Sequence, residues 1–231
     1  MKLLKLLFLV IYLVVPSAHA ALVTLSTTDF DLTYDDTMLG RFGPPQLSNN
    51  VIFFTPIDFS TASANGQGVT FTNSTINLML QPRPGFTFAS ITYEERGDYY
   101  LSGEGASVEV TGQIRVRNMD DVLSESTAFI SSEETLDQQG INNWTASAFI
   151  DGTTGDWQPS ASGIILTIQN LLIARTESLG ELAFIEKKFL GGSFDIQSTT
   201  VPLPGAFILM LSAIGCGGLL LRSKARSSLP T

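Results

Sequence analysis

SVEVTGQIRVR, residues 107–117, decides how the rest of the chain is read. Val108, Val110, Ile114 and Val116 fall on one side of a two-residue period. Glu109, Thr111, Gln113, Arg115 and Arg117 fall on the other. Such alternation is the mark of a strand with one face in the core and one in water. Gly112 interrupts the apolar phase and marks a bulge or a close approach of another segment.

The same period recurs on either side. FTFASITY (86–93) and NWTASAFI (143–150) read as strands, the second with Trp144, Ala146, Ala148 and Ile150 on one face. GIILTI (163–168), ELAFIEKKF (181–189) and SFDI (193–196) follow the same pattern. VIFFT (51–55) and the stretch 69–80, with VTFT and TINLML, fill the first half. Residues 27–50 are turn-rich and read as a long loop or coil, with a helix as the alternative. No segment carries a persuasive amphipathic helical pattern, although residues 120–126 would suit a single turn. Many short strands separated by Gly, Asn, Asp and Ser predict an all-β fold. The expected form is an antiparallel two-sheet sandwich, jelly-roll-like.

Composition narrows the chemistry. All 22 acidic residues lie between Ala21 and Thr200, with only eight of the 13 basic ones. So acidic a body repels nucleic acid and anionic membranes. It holds neither Cys nor His, since Cys216 and His19 lie outside it. That excludes disulfides, a Ser-His-Asp or Cys-His nucleophile, and a zinc site of the usual nitrogen and sulfur kind.

The ends read differently. Lys2 and Lys5 precede an apolar run, Leu6 to Val15, which Pro16 breaks. Ala18-His19-Ala20 is a small-x-small cleavage pattern, so residues 1–20 read as a signal peptide and Ala21 as the first mature residue. At the other end, Gly205 to Leu221 gives 17 uncharged residues, followed by Arg222, Lys224 and Arg226. As a helix this run is about 25 Å long, near the lower limit for crossing a bilayer. The basic cluster places the tail in the cytoplasm and residues 21–200 on the far side of the membrane.

Val201-Pro202-Leu203-Pro204, then the apolar run, then the basic end, resembles the C-terminal sorting signal of PEP-CTERM proteins, in its VPLPA-type variant. Leu203 stands where the namesake motif has Glu, as the variant has it, and Gly205 where the variant usually has Ala. The resemblance implies recognition of residues 201–204 by a membrane-embedded processing protease, an exosortase. It also implies retention through Arg222, Lys224 and Arg226 until the tail is cut. It further implies a Gram-negative host making exopolysaccharide, export across the inner membrane, and delivery to the surface or the extracellular matrix. The membrane anchor would be transient, or permanent if the tail is kept. YEERGDYYLSGEGASVEVTGQIRV and LTIQNLLIARTES, with AFIEKKF, resemble segments common among exported proteins with this tail. The expected organisation is a signal peptide (1–20), an acidic β domain (21–200) and a sorting signal (201–231). Gln197 to Thr200 would be a short linker.

Three groups of residues within the domain offer chemistry. Glu94 and Glu95, near Asp98 and Glu104, are the equipment of a glycoside hydrolase. Glu94 and Glu95 point to opposite faces of a strand, so only a turn bringing Glu95 to Asp98 would assemble a pair. Asp151, Thr153 and Asp156 in DGTTGDW carry the oxygens Ca²⁺ prefers, but not the spacing of an EF-hand loop; a hairpin turn explains them equally. Trp157, Tyr99 and Tyr100 are candidate sugar-stacking rings, whereas Trp144, in phase with Ala146 and Ile150, belongs to the core. Arg96-Gly97-Asp98 reads as a turn. Lys187 and Lys188 alternate and make no basic patch. The expected function is therefore structural or adhesive and non-enzymatic, tied to exopolysaccharide or biofilm. A carbohydrate-binding module and a carboxylate-dependent hydrolase are the alternatives. No cofactor is expected beyond an optional Ca²⁺.

Overall fold

The computed structural model describes residues 21–121, 123–152, 163–188 and 192–200. Among them all regular structure is β. The strands are β1 (Leu22–Ser26), β2 (Phe30–Asp35), β3 (Gln46–Ser48), β4 (Val51–Phe54), β5 (Ser60–Ala64), β6 (Gly68–Pro82) and β7 (Phe86–Ser102). They continue with β8 (Ser107–Asn118), β9 (Glu125–Ser132), β10 (Gly140–Asp151), β11 (Ile164–Thr176), β12 (Leu182–Lys187) and β13 (Gly192–Thr200).

The strands form one 13-stranded antiparallel network that curls on itself. One arm runs β1-β2-β6-β11-β8-β9 and the other β10-β7-β13-β4-β3. They join at a narrow seam, where β9 meets β10 only through Ala146 opposite Ser132 and Ser147 opposite Ser131. β7 is the hub of the second arm. Its first half pairs with β13, its second half with β12, and its other edge with β10. β5 then covers the outer edge of β12. The arms face each other across the core. Ser63 of β5 and Thr176 of β11 are hydrogen-bonded across it at 2.8 Å.

The phase predicted for 107–117 is the phase observed. Val110, Ile114 and Val116 are buried, and Val108 packs against the core. Gly112 is a close approach: a Cβ there would lie 2.2 Å from the Gln169 carbonyl oxygen. Opposite it in register stands Asn170. Edge-to-face rings pack within the core, with Phe42 5.6 Å from both Phe54 and Phe59.

Five expectations are corrected. Residues 27–50 are not a continuous loop, because β2 and β3 lie within them. Phe30, Leu32 and Tyr34 alternate inward between Asp and Thr residues that face out. The acidic stretch after Tyr93 is not a strand end. β7 runs on to Ser102, because Glu94, Arg96 and Asp98 occupy the outward phase while every second residue stays buried. Arg96-Gly97-Asp98 is accordingly strand, not turn. Ser124 N–H bonds the Asp121 carbonyl at 3.0 Å, and Glu125 then opens the unanticipated strand β9. Finally, Gln197 to Thr200 are no linker but part of β13, where Thr200 stands opposite Phe86.

Candidate functional site

Three strands each place an amide or charged residue in their inward phase. Glu95 of β7 and Asn170 of β11 have no exposed surface, and Lys187 ends β12 with its side chain fully enclosed. They meet between the arms. A single oxygen, Glu95 Oε2, accepts hydrogen bonds from Lys187 Nζ, Asn170 Nδ2 and the Tyr93 hydroxyl. Lys187 Nζ also donates to the Tyr93 hydroxyl at 3.3 Å. Its ammonium lies 4.7 Å from the Phe59 ring centre and 5.4 Å from that of Phe42, within cation–π range. Glu95 Oε1 and Asn170 Oδ1 are buried and have no partner.

The electrostatics follow from enclosure. Burial pushes the Lys187 ammonium below the ordinary lysine value, and the Glu95 charge opposes this only in part. Burial, and next the same Glu95 charge, raise the Tyr93 hydroxyl well above its ordinary value. Taking a charge pair out of water is costly, and the pairing offsets that cost only if the remaining hydrogen-bonding capacity is met. Here one acceptor on each of two groups is left over, an arrangement that calls for a chemical explanation.

Glu95 and Asp98, three apart in one strand, face opposite ways. Asp98 is on the outer surface, 3.1 Å from Lys188, and Glu94 pairs there with Arg96. Glu104 is exposed in the turn after β7. The carboxylate pair of a glycoside hydrolase is therefore not assembled from these residues, and Glu95 is sealed from any polysaccharide.

The candidate sugar-stacking rings also separate. Tyr99 is buried, and its hydroxyl accepts the Gln138 N–H at 3.3 Å. Tyr100 lies on the opposite face, half-buried between Ile141 and Phe184 in register. Trp144 is core, as its phase predicts, and its indole N–H donates to the carbonyls of Asp98 and Glu186, both at 3.2 Å. Trp157 lies outside the described residues. Lys187 and Lys188 do point to opposite sides, one enclosed and one exposed.

A cleft of about 740 Å³ opens beside the seam, where the 133–138 loop leaves β9 and passes the edge of β10. Glu133, Glu134, Gln138, Asn142 and Asn143 line it, with Tyr99 and Trp144 behind. Amides and carboxylates in such a setting can pair with the hydroxyls of a sugar.

Of the calcium candidates, Asp151 ends β10 opposite Ser90, while Thr153 and Asp156 lie outside the described residues. Among the described residues no group of three or more His, Cys, Asp or Glu is placed to hold a metal. The processing residues 201–204, 222, 224 and 226, the 205–221 run, and Ala18 and Ala20 also lie outside them. Ala21 immediately precedes β1.

A second acidic contact is structural. Glu181 Oε2 accepts the N–H groups of Glu177 and Ser178 at 2.7 and 2.8 Å, and Oε1 accepts that of Gly105 at 2.9 Å. One carboxylate thus ties two turns together. Hydrogen bonds from the Ser178 and Glu177 backbone, with Gly105 adding to them, hold its carboxyl below the ordinary glutamate value of 4.5. A carboxyl with a lowered folded-state pKa contributes stability above its unfolded value and loses it as the pH falls through the lowered one. Melting temperature against pH should therefore show Glu181→Gln below wild type at neutral pH, the two curves converging in acid. Parallel curves would mean that Glu181 carries no linkage.

No family model and no curated protein matches the chain. Among solved structures it is similar to the infectious bursal disease virus Gx strain, at 11% identity and a TM-score of 0.22, over 85% of this chain. It spans 56% of that viral chain. It is also similar to a structure described for carbohydrate-binding modules of the β-sandwich superfamily, at 9% identity and a TM-score of 0.19, over 80% of this chain and all of the other. Scores of this size carry no argument, so the architecture rests on the strand pairing above.

Proposed function

We propose that this chain is an exported surface or matrix protein, with a non-enzymatic body and a removable sorting signal of the PEP-CTERM type. In this reading the body is a jelly-roll-like sandwich of two sheets with a structural or adhesive role beside the host's exopolysaccharide. A leader ending at Ala20 directs export, and the helix over 205–221 holds the chain in the membrane until an exosortase-type protease acts.

The observation that carries the reading is the course of β13. It pairs with β7 on one side and β4 on the other, and keeps its pairing with β7 as far as Thr200. Val201-Pro202-Leu203-Pro204 follows at once. Proline holds the backbone before it extended and cannot donate to a ladder. A body whose pairing is described up to Thr200, followed by a proline-marked segment from Val201, suits processing. A cut after Pro204 would spare every described strand.

The test is fractionation of a Gram-negative host that makes an exosortase and expresses the full chain. Wild type is expected at the cell surface or in the medium, and Pro202→Ala/Pro204→Ala retained in the inner membrane. Equal release of both proteins, or recovery of both in the cytosol, would contradict the reading.

A further inference from the structure

We propose that Lys187 and Asn170 condense into an intramolecular amide, an isopeptide bond joining β12 to β11 across the core, with Glu95 carrying the proton. The proposal does not rest on the export reading. It rests on the placement of three side chains that a structural ion pair alone does not explain.

The reaction needs an amine, a carbonyl carbon with a leaving group, a proton carrier, and the absence of water. All four are present. Lys187 Nζ and Asn170 Nδ2 are both hydrogen-bonded to the same oxygen, Glu95 Oε2, so amine and amide are held side by side. Reactants fixed in this way react far faster than the same groups free in solution. Phe42, Phe59 and Tyr93 surround the ammonium and exclude solvent. Gly112, opposite Asn170 in register, leaves no side chain to compete for its space. The two leftover acceptors, Glu95 Oε1 and Asn170 Oδ1, fit the same picture. A protonated carboxyl of Glu95 would use one oxygen to donate to the amide oxygen, and so would satisfy what the ionised pair leaves unmet.

The steps balance without any further reactant. Lys187 passes a proton to Glu95, giving a neutral amine and a neutral acid. Enclosure disfavours the lysine charge and so eases the release of its proton. The amine lone pair attacks Asn170 Cγ and forms the Cγ–Nζ bond. Glu95 gives its proton to Nδ2 and takes one from Nζ. The Cγ–Nδ2 bond breaks and ammonia leaves. Nothing is oxidised or reduced, and no metal or nucleotide takes part. The product closes the chain between residues 170 and 187 in a body with no cysteine to make a disulfide.

Tryptic mapping of the denatured full-length protein tests this. Trypsin has no site between Arg117 and Arg175, so Asn170 falls in peptide 118–175. Lys187 falls in 176–188 when cleavage after it is blocked. The expected product is one branched species of these two peptides, lighter than their sum by one ammonia. Asn170→Asp should still form it, now lighter by one water, because hydroxide rather than amide nitrogen is lost. Glu95→Gln should give two separate peptides of full mass. Separate, full-mass peptides from wild type, with cleavage after Lys187, would overturn the proposal. Complete cross-linking in Glu95→Gln would overturn the role of Glu95. The wild-type and Asn170→Asp readings stand even if Glu95→Gln does not fold.

Discussion

Glu95→Ala is expected to destabilise the fold by about 3–5 kcal/mol, because it leaves the Lys187 ammonium enclosed with no counter-charge. For a chain of this size that corresponds to a fall of roughly 6–20 °C in melting temperature. Thermal melts followed by near-ultraviolet dichroism measure it. Lys187 cannot escape to water, since its backbone is fixed on both sides. Its N–H bonds the Phe59 carbonyl at 2.9 Å, and β12 is paired with both β5 and β7. Combining Glu95→Leu with Lys187→Met removes both charges together and should recover the part of the loss caused by the orphaned ammonium. A Glu95→Ala protein that melts with wild type would show that the carboxylate does not hold the arms together.

Gly97→Ala is the second substitution with a large expected effect. Gly97 lies in β7 opposite Lys187 of β12 and opposite Trp144 of β10. A Cβ there would stand 2.0 Å from the Glu186 carbonyl oxygen and 2.6 Å from the indole ring of Trp144. The first contact is with backbone, which cannot swing away. β12 would have to separate from β7, or the indole would have to leave the carbonyls of Asp98 and Glu186. Overpacking of this kind costs about 1–3 kcal/mol, and the backbone clash places this case at the upper end. In a Trp157→Phe background, so that Trp144 alone reports, its fluorescence emission should shift to the red. An unshifted spectrum with unchanged stability would mean that the close approach is relieved at no cost. Because Gly97 and Lys187 are register partners, the same variant should slow the cross-link.

The parts of the fold that are legible in the sequence are those with long, clean alternation. β8, β10 and β11 announce their inward faces through Val, Ile, Leu and Ala two apart, and the structure keeps those phases. β2 is hidden because Asp31, Thr33 and Asp35 on its outer face look like turn residues. The second half of β7 is hidden for the same reason, since Glu94, Arg96 and Asp98 make an exposed phase resemble an acidic loop. Period, rather than polarity, carries the information there.

The site is legible only in part. Glu95 falls in phase with Ile91, Tyr93, Tyr99 and Leu101; Asn170 with Ile168 and Leu172; Lys187 with Ala183 and Ile185. Each strand thus reveals an amide or charged residue in its buried phase. That the three converge depends on how β7, β11 and β12 face each other, which is set by long-range pairing that no local pattern encodes. The alternation rule that separates Glu94 from Glu95 also separates Tyr99 from Tyr100, and applying it there removes the expectation of a shared stacking face.

Mass spectrometry of both termini, on protein recovered from outside cells that process such signals, is the decisive experiment on export and trimming. The expected chain begins at Ala21 and ends near Pro204, with the β body intact between them. A secreted chain that still carries Met1 and Thr231 would contradict that expectation.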